Sequence, residues 1–307
     1  MKKIGLTALS ILWMIALPIS LIGYASATVM PVQFSVLSGE AIDYDQYIKK
    51  VWIMKTWDGS AYNYSSFCIS KIANDKIEGR FSTRMIALPE YSPYSSSDLY
   101  LGHLAGTIHN GVAKCQFSDN KGKKGNVTFI LKTKDEIEAT IQYTDKLQRY
   151  DYKDDSYKEY SLDGTFLFRP YNLKDIGKFS PIKDQCFTVN LNSWGTVNFL
   201  SGKLMGKHIP MAFYLTNQEG DILYDFGYIA PDNVNVKAVS FPDVNNDGLT
   251  DIIIILNING GPWHKAEVLF QKTDGSFQGN SGLSLELNNS GNNKDIDTIL
   301  EYLSKKF

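Results

Sequence analysis

The sequence predicts a mostly β protein, in which an eight-strand meander closes into a barrel and an antiparallel β domain with a short C-terminal helix follows. Three observations support this fold class. Aromatic residues make up 13% of the chain, with 18 Tyr and 16 Phe, which favours strands over a helical bundle. Short apolar runs alternate with turn residues such as Asn-Gly, which is typical of hairpins. A length of 307 residues favours two domains, because one domain spans roughly 100–200 residues.

The first 27 residues are predicted to be a secretory signal peptide. Two lysines precede an apolar run from Ile4 to Ile22, and Ala25-Ser26-Ala27 offers small residues for cleavage before Thr28. An uncleaved membrane anchor is the alternative, and a proline inside the run argues against it. We therefore expect a secreted protein, extracellular or associated with the cell envelope, without a membrane span after cleavage. A lead segment, 28–44, precedes the first domain.

Composition and charge exclude several classes of protein. With 43% hydrophobic residues and 3 Cys, the chain is neither a disordered low-complexity protein nor a dense disulfide scaffold. The formal net charge is −2 and the isoelectric point is about 6.1. No basic field is therefore available for nucleic acid, and we expect no nucleic-acid partner.

The three cysteines leave two interpretations open. Cys68 and Cys115 fall in predicted strands of one domain, and Cys186 lies beyond the predicted boundary. Because export places them in an oxidising compartment, a Cys68–Cys115 bridge with Cys186 free is our expectation. Three buried, reduced thiols are the alternative.

The barrel is predicted to span residues 45–171. Its first strand lies around Trp52, and Asn74-Asp75 and Asn110-Gly111 form two of its turns. Ile137–Tyr143 alternates apolar with charged or polar residues, as in a strand with one face in water. After the Trp52 strand, the predicted strands are Ser65–Ile72, Lys76–Ser82, Leu104–Ile108, Val112–Phe117, Asn126–Lys132, Ile137–Tyr143 and Thr165–Arg169.

Eight strands in meander order resemble the lipocalin-like (calycin) barrels, which also carry a Trp near the first strand. The resemblance implies an interior that is filled with side chains or holds one small ligand. Two tyrosine-rich segments suggest a binding surface at the loops, since exposed tyrosines stack on sugars or face protein partners. They contain Tyr91, Tyr94 and Tyr100, and then Tyr150, Tyr152, Tyr157 and Tyr160. Residues 149–159 are expected to form a loop between the last two strands.

A linker is predicted at 172–181 and a second β domain at 182–307. Its predicted strands are Cys186–Leu191, Thr196–Leu200, Ala212–Thr216, Ile222–Phe226, Val236–Phe241, Ile252–Leu256 and Lys265–Gln271. At the C-terminus, Lys294–Lys305 places Ile296, Ile299, Leu300 and Leu303 at helical spacing. This pattern predicts an amphipathic helix that covers the sheet, with Asn292 or Asn293 as its N-cap.

The segment between two apolar strands, Asp243 to Asp251, has the spacing of a calcium loop. Oxygen ligands at positions one, three, five and nine, with Gly at six for the tight turn, wrap a hard cation. The predicted ligands are Asp243, Asn245, Asp247, the backbone carbonyl of Leu249, and Asp251. Ca²⁺ suits such a flexible all-oxygen set better than Mg²⁺.

Val236 to Phe277 resembles a single VCBS/FG-GAP repeat, the calcium-loop unit of bacterial surface proteins and integrin-type propellers. The resemblance is carried by the Asp-x-Asn-x-Asp-Gly-x-x-Asp loop, its two flanking strands and the turn Asp274-Gly275-Ser276-Phe277. It implies a structural ion that stabilises a strand connection. Ile254 occupies the twelfth position, where an EF-hand has Glu, which excludes that motif. One copy cannot close a propeller, so we expect a compact sheet or sandwich.

No catalytic motif accompanies these features. The four histidines are dispersed, and neither a Gly-x-Ser-x-Gly elbow nor a phosphate-binding loop is present. The sequence therefore favours a secreted binding protein whose partner is cell-wall polysaccharide or a surface protein. Two alternatives stay open: an extracellular hydrolase with a carboxylate-based site, and a carrier of a small apolar ligand inside the barrel.

Overall fold

A computed structural model describes residues 42–57, 62–86, 96–151, 155–176, 179–204, 211–226, 234–258, 261 and 263–307. Ile42–Phe307 forms one compact unit. The predicted signal peptide and most of the lead segment lie outside the described residues.

The predicted barrel is confirmed. The first ten strands of the chain are β1 (Val51–Trp57), β2 (Tyr62–Ala73), β3 (Lys76–Ile86), β4 (His103–His109), β5 (Val112–Ser118), β6 (Lys124–Thr133), β7 (Glu136–Tyr143), β8 (Leu147–Asp151), β9 (Ser156–Tyr160) and β10 (Gly164–Pro170). All except β8 and β9 form one closed antiparallel barrel, in which β10 pairs with both β7 and β1. Asn74 and Asp75, and likewise Asn110 and Gly111, have positive φ, as the two-residue turns between β2 and β3 and between β4 and β5 require.

The described part of the segment 149–159 is mostly strand, contrary to the expected loop, since 149–151 belong to β8 and 156–159 to β9. Strands β8 and β9 pair with each other as a two-stranded sheet outside the barrel, with Tyr150 opposite Tyr157. In β9, a lysine and a glutamate stand between two tyrosines, and the side chains on both of its faces are exposed or half-buried.

Aromatic side chains fill the inside of the barrel. The ring of Phe67 lies 4.5 Å from that of Phe129 and 4.9 Å from that of Phe168, between ring centroids. Trp52 is fully buried, and its indole N–H donates to the carbonyl of Tyr47 over 3.1 Å. These described side chains make the interior a packed core, which argues against a small apolar ligand carried inside the barrel.

The chain after the barrel forms two antiparallel sheets. The first contains β11 (Phe179–Pro181), β12 (Phe187–Leu191), β13 (Gly195–Leu204), β14 (Met211–Thr216) and β15 (Ile222–Asp225). The second contains β16 (Val234–Ser240), β17 (Ile252–Ile258), β18 (His264–Gln271) and β19 (Phe277–Gly279). An apolar core that includes Phe199, Leu215 and Ile254 joins their facing sides, as in a sandwich.

Three α-helices complete the described fold: α1 (Ser96–Leu101), α2 (Ser281–Asn289) and α3 (Ile296–Ser304). Leu283 and Ile299, from α2 and α3, pack on the outer face of the second sheet. The predicted C-terminal helix is therefore confirmed as α3, whereas α2 was not predicted. The predicted N-cap was wrong: Asp295 caps α3 by accepting from the N–H of Thr298 (2.8 Å).

The first sheet also contacts the barrel. Val51 and Tyr64 of the barrel share one buried cluster with Tyr214 and Ile222 of the sheet. The segment predicted as a linker, 172–181, contains a short 3-10 helix at Leu173–Asp175 and strand β11. The described layers therefore run from barrel to first sheet, second sheet and helices.

The expected disulfide is wrong, because all three cysteines are free. Cys115 belongs to the barrel core, whereas Cys68 belongs to the cluster between the barrel and the first sheet. The two thiols thus lie on opposite faces of the barrel wall. Their separation follows from the two-residue period of a strand, which turns Cys68 outward between the inward-facing Phe67 and Ile69.

Candidate metal centre and ligand groove

The predicted calcium loop connects β16 to β17 at one end of the second sheet. The N–H of Asp251 donates to the carbonyl of Pro242 (2.7 Å), which closes the base of the loop. Asn246 and Gly248 have φ values of 59° and 80°, a left-handed conformation that favours Asn and Gly. The sequence therefore folds this segment into the tight turn that its spacing predicted.

Four of the five predicted ligand residues lie on this turn and are connected by hydrogen bonds. The carboxylate of Asp243 accepts from the N–H groups of Asp247 (3.2 Å) and Gly248 (2.9 Å). The carboxylate of Asp247 accepts from the N–H of Leu249 (2.8 Å) and from the side-chain amide of Asn245 (2.9 Å). In this conformation, the carboxylate oxygens of Asp243 and Asp247 accept hydrogen bonds from N–H groups of the loop itself.

Asp251, the fifth predicted ligand, is fully buried at the base of the loop. Its two carboxylate oxygens accept from the N–H groups of Gln271 (2.9 Å) and Val244 (3.1 Å). Burial raises the pKa of Asp251; these two N–H donors lower it, and the charges of Asp247 and Asp243 raise it further. The net effect is a raised pKa, so the negative charge of this carboxylate lies in unfavourable surroundings.

The five predicted ligands suit a hard cation, because every ligand atom is an oxygen and three of the groups are carboxylates. A cation here would offset the mutual repulsion that Asp243, Asp247 and Asp251 experience. Within the described ranges, no three His, Cys, Asp or Glu side chains converge as a metal-binding group. The structure thus brings the five residues into one loop without arranging them around a common centre.

A residue that the sequence analysis missed holds this loop from outside. Asn192, in the turn between β12 and β13, donates from its side-chain amide to the carbonyl of Gly248 (2.8 Å). Its side-chain oxygen accepts from both the N–H (3.0 Å) and the hydroxyl (3.1 Å) of Thr250. No local signal in the sequence identifies Asn192, because its partners lie on a distant strand connection.

A second candidate site is an open groove between β18 and α2. It has a volume of about 590 Å³ and is lined in part by Ile258, His264, Lys265, Glu267, Ser284 and Leu285. Trp263, which precedes β18, has a side chain that is 75% exposed, and its carbonyl accepts from the N–H of Ile258 (3.0 Å). This groove was not predicted from the sequence, because α2 was not predicted.

Hydrogen bonds from α2 and from the segment that follows it hold the groove in shape. The side chain of Asn288 in α2 accepts from the N–H of Ala266 (2.8 Å) and donates to its carbonyl (3.1 Å). Asn293 donates to the carbonyl of His264 (2.6 Å). The hydroxyl of Ser284 donates to Glu267 (2.7 Å). The helix is thus attached to the outer edge of β18 at several points.

The described tyrosines that were expected to form a binding surface fall in two places: Tyr150, Tyr157 and Tyr160 lie on the β8–β9 hairpin, and Tyr100 lies in α1. Tyr91, Tyr94 and Tyr152 lie outside the described residues. Tyr100 packs against Tyr224, with ring centroids 5.5 Å apart, and the guanidinium of Arg80 lies over its ring. Tyr157 is 72% exposed on the β8–β9 hairpin.

Comparison with known proteins found neither a matching family model nor a matching curated protein. The resemblances to VCBS/FG-GAP repeats and to calycin barrels therefore depend on the residues quoted above. Among the helices in the described part of the chain, none has both the length and the apolar character needed to span a bilayer.

Proposed function

We propose that this chain is an exported binding protein that engages a cell-envelope polysaccharide or a surface protein and carries a structural calcium ion. The observation that supports the binding role is a preformed groove together with Trp263, which directly precedes the lining residue His264 in the chain and has a side chain that is 75% exposed. Exposed apolar side chains rimmed by polar groups mark ligand grooves and interaction sites. A groove held open by Asn288 and Ser284 provides such a rim.

The calcium ion would be held by the side chains of Asp243, Asn245, Asp247 and Asp251 and by the carbonyl of Leu249. When bound, the ion supplies positive charge to the carboxylates and adds a cross-link to the loop between β16 and β17. Asn192 connects that loop to the first sheet. A stabilised loop therefore stabilises the packing of the two sheets, and we assign the ion a structural role.

The calcium part of the proposal is tested by calorimetric melting of the predicted mature protein, residues 28–307, in millimolar calcium and in chelator. A ligand bound only by the folded state stabilises it by about 2.7 kcal/mol at a hundredfold excess over its dissociation constant. We expect calcium to raise the melting temperature of the wild type. The double variant Asp243→Ala, Asp247→Ala should lose this shift.

A matched control for the double variant is Asp135→Ala combined with Asp184→Ala, which removes two exposed carboxylates elsewhere. This control should keep the calcium shift. A wild type that melts at the same temperature with and without calcium would remove the metal from the proposal.

The binding part is tested by mixing the mature protein with insoluble cell-wall material and with intact cells of the producing organism. Depletion of the protein from solution by the purified wall supports a polysaccharide partner. Depletion only by cells that retain their surface proteins supports a protein partner. If neither preparation removes the protein, the proposed binding function is wrong.

A further inference from the structure

The groove exists because the second sheet ends early. Strand β19 has only three residues and pairs with β18 from Leu269 to Gln271. The chain then enters α2 at Asn280, so residues 264–268 have a helix beside their outer edge instead of another strand. The resulting space of about 590 Å³ falls within the range of roughly 300–1,000 Å³ that is typical of small-ligand sites.

Side chains of the protein occupy the strand edge inside the groove. Asn288 bonds to both the N–H and the carbonyl of Ala266, and Asn293 bonds to the carbonyl of His264. A peptide that added itself as a strand would need these same backbone groups. The geometry therefore disfavours an extended peptide as the occupant.

The groove also has little net charge. Lys265 and Glu267 form an ion pair with a distance of 2.7 Å between the ammonium nitrogen and a carboxylate oxygen. Because an ammonium group has three donors and a carboxylate has about four acceptor sites, this pair keeps hydrogen-bonding capacity for a ligand. Paired charges of opposite sign match an uncharged, hydrogen-bonding ligand better than an anion or a cation.

Two exposed apolar side chains belong to the segments that form this polar groove: Leu285 lines it, and Trp263 directly precedes its lining residues His264 and Lys265 in the chain. The side chains of Leu285 and Trp263 are 61% and 75% exposed. A sugar ring has a flat apolar face of C–H groups and a rim of hydroxyls, so it matches an exposed indole beside paired donors and acceptors. Neither a purely apolar nor a strongly charged ligand matches both the apolar side chains and the Lys265–Glu267 ion pair.

From these observations we infer that the groove between β18 and α2 binds an uncharged sugar segment of a glycan chain, with Trp263 as the stacking surface. This inference rests on the proposed binding function and names its ligand class and its site. Glu267 and Lys265 provide hydrogen bonds to the sugar hydroxyls, and α2 forms the opposite wall.

The test is a titration of the mature protein with two soluble probes, the tetramer of N-acetylglucosamine and cellotetraose. Indole NMR signals and isothermal calorimetry report binding. We expect at least one probe to bind and Trp263→Ala to weaken that binding by about tenfold or more, as for an aromatic residue at the centre of a binding site. The probe that binds better shows whether the glycan is N-acetylated.

Leu167→Ala is the control, because it removes an apolar side chain that is 55% exposed on β10 of the barrel, outside both candidate sites. It should bind as the wild type does. Trp263→Phe keeps an aromatic face and should retain part of the affinity, which separates stacking from a folding defect. The melting temperatures of all three variants verify that they are folded.

Two results would overturn the inference: no binding of either probe at millimolar concentration, or equal binding by Trp263→Ala and the wild type. The first result combined with depletion by insoluble cell wall would leave the proposed function intact and move its site elsewhere. Absence of both kinds of binding would reject the inference and the proposed function together.

Discussion

The side-chain oxygen of Asn192 accepts two hydrogen bonds from Thr250, one from its N–H (3.0 Å) and one from its hydroxyl (3.1 Å). The amide of the same side chain donates to the carbonyl of Gly248 (2.8 Å). One asparagine in the first sheet thus binds the predicted calcium loop of the second sheet at two positions. Such a contact preorganises the loop, and preorganisation lowers the entropy cost of binding an ion.

Asn192→Ala is expected to lower both the stability of the fold and the affinity of the loop for calcium. A net contribution of about 0.5–1.5 kcal/mol per hydrogen bond, reduced here by solvent exposure, predicts a loss of roughly 1–2 kcal/mol in the free energy of unfolding. Urea unfolding in chelator measures the stability, and titration calorimetry measures the calcium affinity.

Asn190→Ala serves as the control for this variant, because Asn190 is an exposed asparagine on the same hairpin. It should change neither quantity by more than a few tenths of a kcal/mol, as is usual for surface positions. An unchanged dissociation constant for calcium in Asn192→Ala would show that Asn192 does not organise the loop.

Asp274 is expected to make the stability of the protein depend on pH. Burial alone would raise the pKa of this carboxyl group, but hydrogen bonds from Ser276 and the nearby Arg80 guanidinium together lower the pKa below its usual 3.8. The Arg80 guanidinium in the barrel lies 3.0 Å from a carboxylate oxygen of Asp274, between β18 and β19. A depressed pKa stabilises the fold above about pH 4, and this contribution disappears as the pH falls through the lowered value.

Asp274→Asn should therefore destabilise the protein more at pH 7 than at pH 3. Urea unfolding of wild type and variant at both pH values measures the difference, and Asp184→Asn controls for the loss of an exposed carboxylate. An equal destabilisation at the two pH values would mean that the charge of Asp274 makes no contribution.

The thiols are expected to differ in reactivity. Burial raises the pKa of Cys68 and of Cys115 to about 12, so neither forms the reactive thiolate in the native protein at pH 8. Cys186 is only partly buried, and burial raises its pKa as well. Ellman's reagent should label Cys186 slowly in the folded protein and all three cysteines after denaturation. A single reactive thiol in denaturant would reveal a disulfide.

Two glycines are expected to respond to alanine in opposite directions. A Cβ at Gly106 in β4 would overlap the carbonyl oxygen of Lys114 and approach the Cα of Cys115 to 2.6 Å in the adjacent strand. Gly106→Ala should therefore cost about 1–3 kcal/mol of stability. In α2, a Cβ at Gly282 meets only the side chain of Asn280, at 3.4 Å, so Gly282→Ala should add about 0.5–1 kcal/mol. Urea unfolding of both variants measures the contrast.

Much of the fold was predictable because its signals are local. In Ile137–Tyr143, apolar residues alternate with charged or polar ones, which indicates the face of the strand that points into the barrel. Asn110-Gly111 marks a turn, because both residues tolerate positive φ. The same holds for the loop from Asp243 to Asp251, whose Gly248 adopts the left-handed conformation that the spacing requires. Neighbouring residues in the chain contain all the information that these features need.

The candidate sites were less predictable, because contacts between distant segments form them. Asn192 reaches Thr250, and Asn288 holds the edge of β18, only after the sheets and α2 have packed. Helix α2 has a weakly amphipathic sequence, so its burial against the sheet was not evident from periodicity.

The alternation of apolar and polar residues and the turn residues involve only neighbours in the chain. These local patterns are enough to predict the barrel strands, the hairpin turns and the loop from Asp243 to Asp251. The pairing of the cysteines and the location of the groove depend on which faces meet after packing. Cys68 and Cys115 occupy opposite faces of the barrel wall, and Lys265 and Leu285 line one groove only because α2 lies beside β18. Such relationships arise from burial of apolar faces against one another, a long-range effect that local sequence does not encode.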